Sequence, residues 1–392
     1  MVFGIMRRAV VAGLVGVPAA TAVSGTATFD AARAPHPRVA ADAPAEASRW
    51  LAPRPVPGWV EAEWAAFRER FVAPGGWVVD TGNGGVSHSE GQGWGLLFAE
   101  RFGDRETFDR LLGWTRAALQ RSHDALHAWR FRHGAPVPVD DLNNATDGDL
   151  FIAWALLRAA RRWAEPGYEA AGRAVAASIL RAAVRQEGER LLLLPGARGF
   201  VEAGQVVVNP SYYALPALRG LAAALPDPAW ARLEEDGLAL LRAARFGRWG
   251  LPPDWAAVPF KGAGGPSREA PPRLATGRRP RFSWDAVRLP LYLAWAGLAE
   301  EPAAAAAARF WSSGEHGGSG LPAWVDLTNG AVSPEAAGPG IAAIAQFVLA
   351  ARAGGGPVEM PTVAAAPDYY AAALTLLARL AWEDSRPTWA GA

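Results

Sequence analysis

Three acidic residues stand at the starts of three apolar segments: Glu90 in VSHSEGQGWGLLFA, Asp147 in ATDGDLFIAW and Asp285 in RFSWDAVRLPLYLAW. Carboxyl groups serve as general acid or general base, and two facing each other across a bond can protonate its leaving atom and activate a water. A hydroxyl residue precedes each acid: Ser87, Thr146 and Ser283. Ser87-x-x-Glu90 and Thr146-x-x-Asp149 have capping-box spacing, and the helix dipole stabilises acids in a first turn, so any one of the three alone reads first as a cap. The joint pattern argues for chemistry. If the three helices are parallel members of an inner layer, their N-termini open at one end and the carboxylates converge on one cleft. The dipole favours the charged form, so a working acid there needs its pKa raised by burial against aromatics or by a nearby carboxylate. Trp94, four residues after Glu90, is placed to help.

The element that must position these acids is the stretch Ala145 to Trp163, ATDGDLFIAWALLRAARRW. From Leu150 to Leu157 it carries no polar side chain, and a helix apolar on nearly every face is buried on nearly every face. Around it, Ala/Leu/Arg-rich segments predict ten further helices, near 59–72, 91–102, 105–120, 168–186, 211–225, 229–245, 284–299, 302–311, 338–353 and 367–382. Strand signals are short: Gly76 to Asp80, Leu191 to Leu194 and Val206 to Val208. The expected fold class is all-α, two concentric helical layers closed into a barrel with a few loop strands. The Gly/Pro/Arg stretch from Phe246 to Arg281 is the one insertion large enough to be a functional loop.

The N-terminus reads as a targeting segment. Arg7 and Arg8 precede an apolar run from Ala9 to Ala20, and Ala20-Thr21-Ala22 has the small-x-small form of a cleavage site. The run is too short to span a bilayer. The expected organisation is a signal peptide over 1–22, a Pro/Ala-rich linker over 23–58 and one catalytic domain over 59–392, exported to the periplasm or secreted, with no stable membrane span after processing. The rival for the leader is an uncleaved anchor.

With 39 Lys+Arg against 38 Asp+Glu, nothing points to nucleic acid or to an anionic surface as the main partner. The absence of Cys removes disulfides, thiolate metal sites and cysteine nucleophiles together. No His or carboxylate pair has metal-ligand spacing, and the Gly82-to-Gly85 run lacks the strand, helix and lysine of a nucleotide site, so neither metal nor cofactor is expected. His88 reads as a loop hydrogen-bonding residue more than as a second acid/base. The 18 Trp against 6 Tyr are mostly core, yet such an excess also suits a cleft that stacks hydroxylated rings on aromatic faces. Convergent carboxylates with aromatic neighbours point to hydrolysis of a glycosidic bond.

These motifs resemble glycoside hydrolase family 8, the inverting endoglucanases and their relatives. ATDGDLFIAWALLRAARRW is similar to the family signature over its whole length. GWVVDTGNGGVSHSEGQGWGLLFA is similar to the segment carrying the proton donor, VVNPSYYALPAL to a substrate-loop segment, and SWDAVRLPLYLAW to the segment carrying the base. The resemblance spans about residues 59 to 380 and implies an (α/α)6 barrel acting on β-1,4-glucan. It implies Glu90 as general acid, Asp285 as base, and Asp147 gripping the sugar at the cleavage point. It further implies Arg288 holding Asp285 ionised, which an arginine at i+3 can do. Trp129, Asp149, Tyr212, Trp284 and Trp94 are the expected substrate-binding residues. Trp129 reads equally as a loop aromatic and Tyr212 as a residue capping the following helix, while Trp284 stands where relatives often carry Tyr. Within the family the NGGVSHSEGQGWG wording is nearest to periplasmic members that accompany bacterial cellulose synthesis, which implies a monomer with a functional link to a cellulose synthase complex. Open alternatives are xylan, mixed-linkage glucan or chitosan as substrate, a non-hydrolytic glucan-binding export subunit, and a lyase on a similar barrel.

Overall fold

The computed structural model describes residues 49–55, 57–260, 271–316 and 320–389, so the expected leader and the linker up to residue 48 lie outside the described residues. Eleven α-helices follow one another in the described chain: α1 Gly58–Phe71, α2 Ser89–Arg101, α3 Arg105–Leu119, α4 Thr146–Trp163, α5 Pro166–Ala182, α6 Leu215–Ala224, α7 Ala229–Ala243, α8 Arg288–Trp295, α9 Pro302–Ser312, α10 Pro339–Arg352 and α11 Tyr369–Trp389.

Patterning sorts them into two layers. In α3 the buried residues are Thr107, Phe108, Leu111, Leu112, Thr115 and Leu119, a one-sided stripe at helical spacing. In α7 they are Trp230, Leu233, Gly237, Leu240 and Leu241. By contrast α2 is buried along its whole length, α4 from Thr146 to Ala159, and α8 from end to end. Such helices fill the inside, and the amphipathic ones wrap them. The fold is the expected (α/α)6 barrel.

The inner helices approach closely because glycines face their neighbours. A Cβ on Gly148 of α4 would lie 2.5–2.7 Å from Ser89 and the Glu90 nitrogen, and one on Gly93 of α2 would lie 2.8–2.9 Å from Phe151 Cβ and the Gly148 carbonyl. The first turns of α2 and α4 are therefore in backbone contact. That contact sets Glu90 beside Asp147.

The strands are short and sit in loops. β1 Ser87–His88 pairs with β2 Arg130–Phe131, and β3 Val184–Glu187 with β4 Arg190–Leu193. A four-stranded antiparallel sheet runs β5 Val201–Glu202, β6 Gln205–Val208, β7 Ala256–Pro259, β8 Arg273–Leu274. β9 Arg281–Phe282 pairs with β10 Val325–Asp326. The stretch from Phe246 thus supplies two strands of that sheet, where the sequence suggested an insertion loop. Gly76 to Asp80 makes only isolated bridges, Val78 to Val72 and Asp80 to Val86.

The packed body also begins earlier than Trp59. Trp50 and Leu51 are buried. The Trp50 carbonyl accepts from Trp154 Nε1 at 2.8 Å and Arg158 Nη1 at 3.0 Å. Beneath this strap Glu100, fully buried near the end of α2, accepts from Arg158 Nε at 2.6 Å and Arg162 Nε at 2.9 Å.

Candidate active site

At the opposite end of α2 one guanidinium gathers three carboxylates. Arg288, the first residue of α8 and 1% exposed, donates from Nη1 to Glu90 and, at 3.0 Å, to Asp147 Oδ2. Its Nη2 donates to Asp285 Oδ1 at 2.6 Å and to Ser211 Oγ at 3.1 Å. The expected pairing of Arg288 with Asp285 is present, but the arginine does more. It joins the N-terminal ends of α2, α4 and α8 and the turn before α6. The three carboxyl groups differ in access: the side chains of Glu90 and Asp147 are 8% and 3% exposed, that of Asp285 27%.

The electrostatics follow from the count. One positive charge cannot neutralise three buried or half-buried carboxylates, so burial and like-charge repulsion together favour the protonated form of the most buried one. Burial pushes the Asp147 carboxyl up to about 7, and the Glu90 charge adds to the rise while Arg288 opposes it. Burial and the charges of Asp147 and Asp285 likewise drive the Tyr212 phenol well above its usual range, so it stays a neutral hydrogen-bond donor.

The supports are local. His88, not Ser87, caps α2: its Nδ1 accepts from the Gly91 N–H at 3.0 Å and its Nε2 lies 3.0 Å from Asp80 Oδ2. This is the loop role expected for His88. Ser87 Oγ instead donates to the Val78 carbonyl at 2.6 Å, and α4 begins without a side-chain cap. The capping-box reading of Ser87 and Thr146 is therefore wrong for both helices, and Glu90 and Asp147 point their carboxylates at Arg288 instead. Asp285 is not in a first helical turn at all. It lies in a turn three residues before α8, where Ser283 and Ala286 donate their N–H groups to Asp254 at 3.0 and 2.8 Å. Asp254 and Ser211 are contributors the sequence reading missed. Ser211 lies inside the VVNPSYYALPAL segment beside Tyr212, whereas Asp254 has no motif of its own and only the fold brings it to the cluster. Among the described residues no group of three or more His, Asp or Glu is arranged to hold a metal ion.

With this geometry in view, residues 39–384 match the family profile Glycosyl hydrolases family 8. The chain belongs to that family. It is 46% identical over 327 residues to a probable endoglucanase of Novacetimonas hansenii, covering 83% of this chain and 92% of that protein. It is 38% identical over 299 residues to an endoglucanase of Cellulomonas uda, covering 76% of this chain and 79% of the other. Among solved structures, the endo-beta-1,4-glucanase CMCax from Acetobacter xylinum superposes with a TM-score of 0.76 at 44% identity, covering 83% of this chain and 98% of that one. This family 8 chain is therefore a glycoside hydrolase of the endoglucanase type.

Family membership does not make every expected contact a substrate contact. Trp94 is fully buried beneath the site, with the Arg288 guanidinium 5.7 Å from its ring centroid and the Tyr369 ring 6.4 Å away. It forms the floor under the arginine and cannot stack a sugar. Asp149 is fully buried too. It accepts from His127 N and Nδ1 at 3.1 and 2.8 Å and from Asn144 Nδ2 at 3.0 Å, so it fixes the loop from within. Trp129, on that loop, is half-buried; its Nε1 donates to Asp141 Oδ2 at 3.0 Å and its carbonyl accepts from Ser89 N at 3.1 Å, next to Glu90. Tyr212 is half-buried with Arg288 5.8 Å from its ring, and its expected helix-capping alternative does not hold, since it sits in a 3-10 turn ahead of α6. Trp284 is half-buried beside Asp285, its carbonyl accepting the Tyr370 hydroxyl.

Proposed function

We propose that this family 8 enzyme hydrolyses internal β-1,4 bonds of cellulose-like glucan with inversion, and that the residues tied together by Arg288 carry the reaction. Glu90 gives its proton to the leaving glycosidic oxygen. Asp285, the most accessible carboxylate of the three, takes a proton from a water that attacks the anomeric carbon from the opposite face. Asp147, beside Glu90, grips the sugar at the cleavage point and stabilises its distorted, oxocarbenium-like ring. Trp129, Tyr212 and Trp284 line the path of the chain. The single observation that carries this reading is the Arg288 cluster, in which one guanidinium gathers the Glu90, Asp147 and Asp285 carboxylates at one place.

We infer further that the enzyme acts outside the cytoplasm, as a monomer linked in function to a cellulose synthase complex. The leader-type segment over 1–22 supports the first point, and the word-level likeness around Glu90 supports the second. No helix among the described residues is long and apolar enough to cross a membrane.

The test is release of reducing ends from carboxymethylcellulose by wild type, Glu90→Gln and Asp285→Asn, alongside xylan, mixed-linkage glucan and chitosan. The wild type should act on the cellulose derivative first and both variants should be inactive on all four. An active variant contradicts the residue roles, and a preference for another polymer contradicts the substrate.

A further inference from the structure

Asp285 is the one carboxylate of the three that no helix holds. It lies in the turn 283–287, and the residue that grips this turn from behind takes no part in the chemistry described above. Asp254, 7% exposed, stands just ahead of β7. Its Oδ1 accepts the N–H of Ser283 at 3.0 Å and the N–H of Ala286 at 2.8 Å, and its Oδ2 accepts the Ser283 hydroxyl. Its own N–H donates to the Arg281 carbonyl at 2.7 Å, which ties it to the strand leading into the turn. One side chain therefore clamps the backbone on both sides of Trp284-Asp285. From the front, Arg288 holds the Asp285 carboxylate and the Tyr370 hydroxyl holds the Trp284 carbonyl. Asp285 is thus fixed between a clamp and an arginine.

A buried carboxyl is an expensive way to close a turn, because a serine or asparagine can accept a backbone N–H without bringing a charge into the interior. A carboxyl offers three bonds to this one turn and tolerates little displacement of the groups that make them. We propose that Asp254 is a positioning residue for the base, setting through Ser283 and Ala286 where the Asp285 carboxyl meets the attacking water. The proposal rests on the reading of Asp285 as that base. Burial and the nearby Asp285 charge lift Asp254 to about 7, which agrees with two carboxyl groups placed close together around one turn.

The test separates a misplaced base from a damaged enzyme. Azide needs no deprotonation, so on an activated aryl β-cellotrioside it can replace the water. Its nitrogen bonds to the anomeric carbon as the glycosidic C–O bond breaks, and the electron pair leaves with the aryl oxygen. Asp285→Ala serves as the reference for a missing base. Asp254→Ala should lower kcat about 100-fold, the cost expected for a misplacement near 1 Å, with KM changed less than about 3-fold. Azide should restore at least about 10-fold in Asp254→Ala as in Asp285→Ala, with the α-glycosyl azide as product. Asp254→Asn keeps an oxygen for both N–H groups and should stay within about 10-fold of wild type.

Full kcat in Asp254→Ala overturns the proposal. So does a loss that azide fails to restore while Asp285→Ala is restored, which would make Asp254 merely structural. If Asp285→Ala itself keeps activity, the reading of the base fails instead, and the clamp with it. Should Asp254→Ala not fold, Ser283→Ala removes only the hydroxyl bond. It should lose about 3- to 10-fold in kcat, restored by azide, and an unchanged kcat contradicts the clamp.

Discussion

The two ends of α2 carry ion clusters of opposite make-up. At the base, one carboxylate, Glu100, is shared by two guanidinium groups, Arg158 and Arg162. At the mouth, one guanidinium, Arg288, is shared by three carboxylates. Both are largely buried and joined by short hydrogen bonds, so burial alone does not tell them apart. The sign of the excess does. An excess of arginine leaves no proton to move near neutral pH, because guanidinium does not titrate there. Burial with an excess of carboxylate pushes the Asp147 carboxyl up to about 7, into the range where protons are exchanged near neutral pH. The base cluster also pins the strap at Trp50, so its work is mechanical.

This contrast can be broken at either end. The largest effect is expected at the mouth: Glu90→Gln and Asp285→Asn should each lower kcat about 1,000-fold or more without lowering the melting temperature. Assay and thermal melt of the same preparations check it. At the base the expectation reverses. Glu100→Gln leaves the buried Arg158 and the half-buried Arg162 short of their counter-charge and should cost about 3 kcal/mol of stability in denaturant titration, while kcat per folded molecule stays at the wild-type level.

Gly148→Ala tests the packing that joins the chemistry to the fold. Its methyl group would meet Ser89 and the Glu90 backbone, neither of which can swing away. It should cost about 1–3 kcal/mol and also lower kcat, by roughly 10- to 100-fold, because Glu90 and Asp147 move apart.

The smallest effect sharpens the charge argument. The Asp147 carboxyl titrates near 7 in the folded protein against 3.8 as an ordinary carboxyl. Between these values the native state binds more protons than the unfolded chain, so this group's contribution to stability falls as pH rises from about 4 to about 7. Asp147→Asn removes that dependence. It should raise stability at pH 7 by roughly 1–2 kcal/mol and do little at pH 4, measured by melts at both values.

Most of the architecture is legible in the chain, because an all-apolar run such as Leu150 to Leu157 allows only a buried helix, and stripes such as Phe108, Leu111, Leu112 and Thr115 allow only a wrapping one. Glu90, Asp147 and Asp285 are legible as candidates because three apolar segments open on one pattern, and Arg288 through the likeness of SWDAVRLPLYLAW to the family's base segment. What the chain does not disclose is how each acid is held. Capping-box spacing suggested Ser87 and Thr146, whereas His88 caps α2, since burial turns Ser87 toward Val78. Helical periodicity carried α8 back to 284, but the Asp254 bonds keep residues 283–287 as a turn. Asp254 comes from a stretch of Gly, Pro and Arg with no periodicity to read. Trp94 and Asp149 neighbour the acids in sequence, and in the fold both are fully buried.

The proposed mechanism is a single displacement between Glu90 and Asp285. Proton NMR of the first anomer released from a β-1,4-linked cello-oligosaccharide tests it most directly. Inversion predicts that the α-anomer appears first and then mutarotates, whereas a β-anomer appearing first contradicts the account, because it requires a glycosyl-enzyme intermediate and a protein nucleophile.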